Sequence, residues 1–295
     1  MLASCCICSA NEIDGIKTDS DVIHFVNRFL PKGTTYTLQL GTTGEYMKER
    51  LQQLGMRELD HIFDSLGVAD KAWIKADINN DGKTDLIVFT EAVLLVIYTD
   101  HDSFCKAMNG YVFKYNFIFP GVKLIDGQNL MLLYSLRPLL RKEDSEVVAC
   151  DTLIFRDGQI FNYLKTPKHY DIEKITFHDD GSCEGDCIRV DIAIDNKLMK
   201  GSFAAGHSLY SNENRTGEVN KEKIARILEF LNYSNFPDLK ETYSSGWTDQ
   251  TTVKWEITYN NGQVKTISDY GECGSATLNT LYAFLVQDIF NEFKD

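Results

Sequence analysis

A series of short apolar segments, punctuated by turn residues, constrains this chain more than anything else in it. Trp73–Ala76, Leu86–Thr90, Val93–Thr99, Tyr111–Phe119, Val122–Ile125, Leu130–Ser135 and Val147–Phe155 all have strand-type composition. Asp126-Gly127 and Asp157-Gly158 sit at the ends of such segments. Asp and Gly tolerate positive φ, so these pairs predict tight turns between antiparallel strands.

Helical spacing frames this region. Ser20-Asp21 is read as the cap of a helix with the stripe Val22, Ile23, Val26 and Phe29 or Leu30, stopped by Pro31. Thr34–Leu40 reads as a strand, and Glu45–Leu66 carries a second helical stripe. Lys165–Tyr170, containing Pro167, reads as a boundary. Beyond it come strands at Ile172–Phe177, Cys187–Ile194 and Lys197–Phe203, then a helix capped by Asn220 with Ile224, Ile227, Leu228 and Leu231 inward. A hairpin follows, Thr252–Tyr259 and Val264–Ser268 across Asn260-Asn261-Gly262. The last helix, Ala276–Phe293, places Leu278, Leu281, Leu285, Ile289 and Phe293 on one face. The expected fold class is α+β in two domains. Residues 11–165 form helices plus antiparallel sheet, and 170–295 form an antiparallel sheet with two helices. At 295 residues the chain exceeds what one typical core holds, which agrees with that division.

Composition excludes some partners. The formal net charge is −13, which repels nucleic-acid phosphates and anionic lipid surfaces. No stretch approaches the roughly 18 apolar residues of a membrane span.

Asp77-Ile78-Asn79-Asn80-Asp81-Gly82-Lys83-Thr84-Asp85 carries the clearest chemical signal. Calcium takes six to eight oxygen ligands, and alternate side chains of a tight loop can converge on it. Asp77, Asn79, Asp81 and Asp85 occupy positions one, three, five and nine of such a loop, the Lys83 carbonyl would serve position seven, and Gly82 permits the turn. Position twelve is Val88, so the bidentate Glu of an EF-hand is missing, and both flanks read as strands. Residues 76–88 resemble the strand-loop-strand calcium motif of FG-GAP and VCBS repeats, as in integrin α-subunit propellers. The motif occurs once here, so the resemblance implies a calcium hairpin and not a propeller. Without the position-twelve Glu, the expected calcium is structural, with a dissociation constant on the order of 10⁻⁴ to 10⁻³ M. A plain Asn-Asp-Gly turn explains residues 80–82 but not Asp77, Asn79 and Asp85.

The eight cysteines form no disulfide framework. Cys105 and Cys150 are read as buried thiols. Cys183 and Cys187 lie four apart before a strand, and Cys273 lies in a Gly-rich turn. A Cys183–Cys187 disulfide, a zinc site that adds Cys273 and His178, and a redox pair all stay open. Residues 170–293 resemble an uncharacterised bacterial domain family. The carrying residues are Cys183, Cys187, the helix Glu222–Leu231, Asn235-Phe236-Pro237-Asp238-Leu239, Thr248-Asp249 and Thr266-Ile267-Ser268-Asp269-Tyr270-Gly271. Membership would imply an envelope or lipidated bacterial protein and brings no known activity. Leu2-Ala3-Ser4-Cys5 matches a bacterial lipobox, but only Met1 precedes it. An accidental match and a shortened signal with a lipid anchor at Cys5 both stay open.

No nucleophile elbow, phosphate loop, zinc-protease motif or dinucleotide motif is present. Of the six histidines, none stands at metal-ligand spacing from another. Asp100-His101-Asp102 and His178-Asp179-Asp180 read as solvated turns. The functional expectation is a non-enzymatic, calcium-stabilised bacterial cell-envelope protein that binds a protein or glycan ligand. The alternatives are a hydrolase acting in an inter-domain cleft, using His101 or Asp269, and a cytoplasmic interaction or immunity-type protein.

Overall fold

A computed structural model describes residues 11–29, 52–53, 72–89, 94–100, 103–109, 118–136, 148–182, 188–207, 215–245 and 248–291. The expected strand Thr34–Leu40, nearly all of the helix Glu45–Leu66 and most of Tyr111–Phe119 lie outside them. The chain divides into two compact units, Met1–Tyr163 and Leu164–Asp295. Among the described residues, mostly antiparallel sheets and three α-helices make a mixed α+β fold.

The first unit opens with a 3₁₀ turn, Glu12–Gly15, and helix α1, Asp19–Asn27. The cap is Thr18, two residues ahead of the expected Ser20. Its hydroxyl accepts the Asp21 N–H at 3.2 Å, and Asp21 accepts the Thr18 N–H at 2.8 Å in return. This reciprocal pair satisfies two otherwise orphaned donors, which is why Asp21 sits inside the helix and does not begin it. Strands β1 Trp73–Ala76, β2 Asp85–Phe89, β3 Leu94–Asp100 and β4 Ser103–Asn109 form one antiparallel sheet in sequence order. Strands β5 Ile118–Ile125, β6 Gln128–Leu136, β7 Val148–Arg156 and β8 Gln159–Asn162 form another. Val22, Phe25 and Val26 of α1 pack on Trp73, Leu86, Val88, Leu95 and Ile97 in one buried cluster. Burying each such side chain contributes on the order of 1.5–3 kcal/mol. The Trp73 indole N–H donates to Asp19 at 2.7 Å, and the Lys75 ammonium holds the carbonyls of Asp14 and Ile16 at 3.0 and 2.9 Å. The N-terminal segment is thereby stitched to β1. The rings of Tyr98 on β3 and Phe155 on β7, 4.7 Å apart, join the two sheets.

The second unit is a seven-stranded sheet in the order β12-β11-β10-β9-β14-β15-β13. Its strands are β9 Ile172–Asp179, β10 Ile188–Asp195, β11 Lys200–His207, β12 Arg215–Val219, β13 Thr242–Ser244, β14 Thr252–Tyr259 and β15 Gln263–Tyr270. Every pairing is antiparallel except β13 with β15, which is parallel. The helices are α2 Lys221–Ser234, capped by Asn220, and α3 Ala276–Asn291. Ile175, Phe177, Ile192, Phe203, Val253, Trp255 and Ile267 alternate inward along the strands and are buried. Phe177 and Trp255 meet edge to face with centroids 4.6 Å apart. Gly217 faces the Phe203 ring so closely that a Cβ there would lie 2.5 Å from it. A side chain at 217 would displace the ring.

Candidate functional site

The loop 77–84 joins two strands that pair Ala76 with Asp85. Its curvature comes from two positive-φ residues, Asn80 at 59° and Gly82 at 81°. Side-chain oxygens fold inward and accept loop N–H groups. Asp77 takes Asp81 N at 3.1 Å and Gly82 N at 3.0 Å, Asn79 takes Asp81 N at 3.1 Å, and Asp81 takes Lys83 N at 2.8 Å. Lys83 is exposed, so only its carbonyl is available to a ligand within the loop.

Asp85 differs from the others. It is fully buried, and its Oδ2 accepts the Ile78 N–H at 2.9 Å. Its Oδ1 has no hydrogen-bond partner. Burial, with added repulsion from Asp81 and Asp77, pushes its carboxyl up to about 6. A buried carboxylate oxygen without a donor costs about 1–3 kcal/mol or more, so the site is short of a positive partner. Among the described residues, no three His, Cys, Asp or Glu side chains stand as a ready-made cation cluster.

Two residues outside the motif hold this loop, and nothing local in the sequence marks them. Asn129 on β6 donates to the Asp77 carbonyl at 2.8 Å, and Asn11 donates to the Thr84 carbonyl.

In the second unit, one end of the sheet gathers polar groups. Asp179 is buried; it accepts Gly181 N at 3.0 Å, the Thr251 hydroxyl, and the Tyr282 phenol of α3 at 2.8 Å. Burial, then Glu272 and Asp179, hold the Tyr282 phenol far above its ordinary value, which keeps it a donor. Burial opposes charge on Asp180. Hydrogen bonds from Thr252 N at 3.0 Å, Ser182 N at 2.9 Å and the Thr251 hydroxyl outweigh it, holding the carboxyl below the usual range. Tyr282→Phe strips one donor from a buried carboxylate. The expected loss is about 1–3 kcal/mol of stability in urea unfolding, and an unchanged midpoint would remove this role. Asp269 is also buried and accepts Cys273 N at 2.6 Å and Gly274 N at 2.9 Å, which turns the chain into α3.

The opposite, open face of this sheet carries a groove of about 660 Å³, lined by Thr176, His178, Asp191, Ala193, Ser202, Ala204 and Thr216 among others. Strand register aligns His178, Asp191, Ala204 and Thr216 in one row, and Thr176, Ala193 and Ser202 in the next. His178 Nδ1 lies 2.6 Å from Asp191 Oδ1, and Arg189 donates to Asp191 Oδ2 at 3.3 Å. His178 and Asp179, read from the sequence as a solvated turn, are strand residues on opposite faces. Their period-two alternation was available, but the acidic run masked it.

Cys150 is exposed and Cys105 half-buried, which corrects the expectation of buried thiols. Cys150 stands at the outer side of a pleated strand, where apolar neighbours in sequence are not neighbours in space. Cys5, Cys183, Cys187 and His101 lie outside the described residues. Among the described residues, no helix is long and apolar enough to cross a membrane.

Residues 173–287 match the model of a family described as Domain of unknown function (DUF6438). The C-terminal half of the chain is thus similar to an uncharacterised domain family. No curated protein and no solved structure matches the chain.

Proposed function

We propose that this chain is a non-enzymatic cell-envelope protein in which a calcium ion on Asp77, Asn79, Asp81, Asp85 and the Lys83 carbonyl stiffens the first unit, while the second unit binds a glycan. The observation that carries the calcium reading is Asp85, buried with one carboxylate oxygen unpartnered beside two further acids. A divalent cation supplies the missing positive partner and offsets the repulsion. The inward-turned oxygens of Asp77, Asn79 and Asp81 retain lone pairs for it.

Calorimetric titration of the full chain with calcium is the test. Binding is expected with a dissociation constant on the order of 10⁻⁴ to 10⁻³ M. Asp81→Ala abolishes the heat and Lys83→Ala leaves it intact, because residue 83 contributes only backbone. No heat from the wild type would end the calcium reading.

The open groove favours a glycan over a protein strand. A strand ligand needs unpaired backbone at a sheet edge, whereas this groove lies on a sheet face. Hydroxyls, an imidazole and a carboxylate over an alanine floor complement a hydroxyl-rich ligand. Retention of the chain on neutral polysaccharides should be lost in Ala193→Arg. Equal retention of that variant would move the site elsewhere. The hydrolase alternative draws on Asp269, whose two carboxylate oxygens are both engaged in the turn into α3. Envelope location and a lipid anchor at Cys5 are tested against the cytoplasmic alternative by fractionating cells that express the native gene.

A further inference from the structure

The loop is gripped at both ends by asparagine amides from elements far away in sequence. Asn129 reaches the Asp77 carbonyl from the second sheet across 52 residues. Asn11 reaches the Thr84 carbonyl across 73 residues, and its own Oδ1 accepts Ile13 N at 3.2 Å to cap the N-terminal 3₁₀ turn. Both amides are neutral donors. A lysine in either place would bring its own cation beside Asp77 and Asp85 and compete with an ion. An asparagine fixes the carbonyl and leaves the carboxylate charge unspent.

We infer that Asn129 and Asn11 are positioning residues for the cation loop, and that divalent-cation binding is coupled to the seating of residues 11–27 and of β6 on that loop. This rests on the calcium reading above. The ion draws Asp77, Asp81 and Asp85 together, which holds the carbonyls of residues 77 and 84 where the two amides meet them. Without it, repulsion among the three acids favours a more open loop and weakens both grips. Coupling of this kind is reciprocal, so removing an amide weakens the ion by the factor that the ion strengthens the amide contact. The Lys75 contacts to Asp14 and Ile16 extend the same seam along the N-terminal segment.

Hydrogen exchange on the full chain, in calcium and in a chelator, tests this together with calcium calorimetry. Calcium is expected to slow amide exchange in residues 77–85 and also in 11–27 and 128–136. Asn129→Leu and Asn11→Leu are expected to weaken calcium about 5- to 30-fold, and Asn129→Gln, which keeps a donor, to recover part of the loss. Calcium binding with protection confined to 77–85 and unchanged affinity in both variants overturns the coupling and leaves the calcium site standing. Absence of calcium binding overturns both. If a leucine variant fails to fold, the exchange pattern of the wild type decides alone.

Discussion

Without divalent ions, the wild-type chain is expected to lose about 2 kcal/mol more stability than Asp85→Asn as pH rises from about 4.5 to about 7. The folded carboxyl of Asp85 is pushed up to about 6, from 3.8 for a free side chain. A raised folded value means the fold holds this proton more tightly than the unfolded chain does. Its contribution is complete below about pH 4, falls through the window up to about 6, and is flat above it. The neutral amide of Asn has no such titration, so the difference between the two chains isolates this group from every other acid. Calcium requires the deprotonated form, and its affinity should rise through the same window. At 100 times its dissociation constant it returns about 2.7 kcal/mol, which more than offsets the loss across this window. Urea midpoints in chelator at pH 4.5 and 7, with and without calcium, read all of this. A wild type that tracks Asp85→Asn at both pH values would place the carboxylate in a better-solvated state than its burial indicates.

Asp269→Ala should cost about 2–3 kcal/mol. Its buried carboxylate takes two half-buried N–H groups, those of Cys273 and Gly274, and the variant leaves both without that acceptor. The turn it organises is tight. A Cβ at Gly274 would stand 2.8 Å from Asp269 Oδ2 and 2.7 Å from Leu278, so no bulkier residue can replace the contact. The melting temperature of the variant checks the size of the effect. A variant that kept its stability while losing a hydrolytic activity would revive the enzymatic alternative, since a turn-forming carboxylate cannot be removed silently.

Much of this architecture was legible locally. Asp126-Gly127 and Asp157-Gly158 take positive φ, as their composition requires, and Asn220 caps α2 as expected. The inward faces were read nearly right. Phe230 is buried where Leu228 is only partly so, because the stripe is wider than one heptad row. Strands β12 and β13 escaped, being short and Gly- or Ser-bearing, with pairing decided by partners rather than propensity. The loop motif was legible because its residues are consecutive. The burial of Asp85, the grips of Asn11 and Asn129, and the Asp179–Tyr282 pair were not. Each depends on contacts spanning 52 to 103 residues or on what covers a strand end.

The large sheet ends at one margin in β13, three residues long and parallel to its neighbour, and at the other in β12, five residues with a central glycine. Such truncated margins offer an approaching chain too few free N–H and C=O groups to extend the ladder. Short borders of this kind disfavour edge-to-edge pairing between copies of the second unit. Extending either border with a run of β-branched residues should promote fibril formation, read by thioflavin fluorescence.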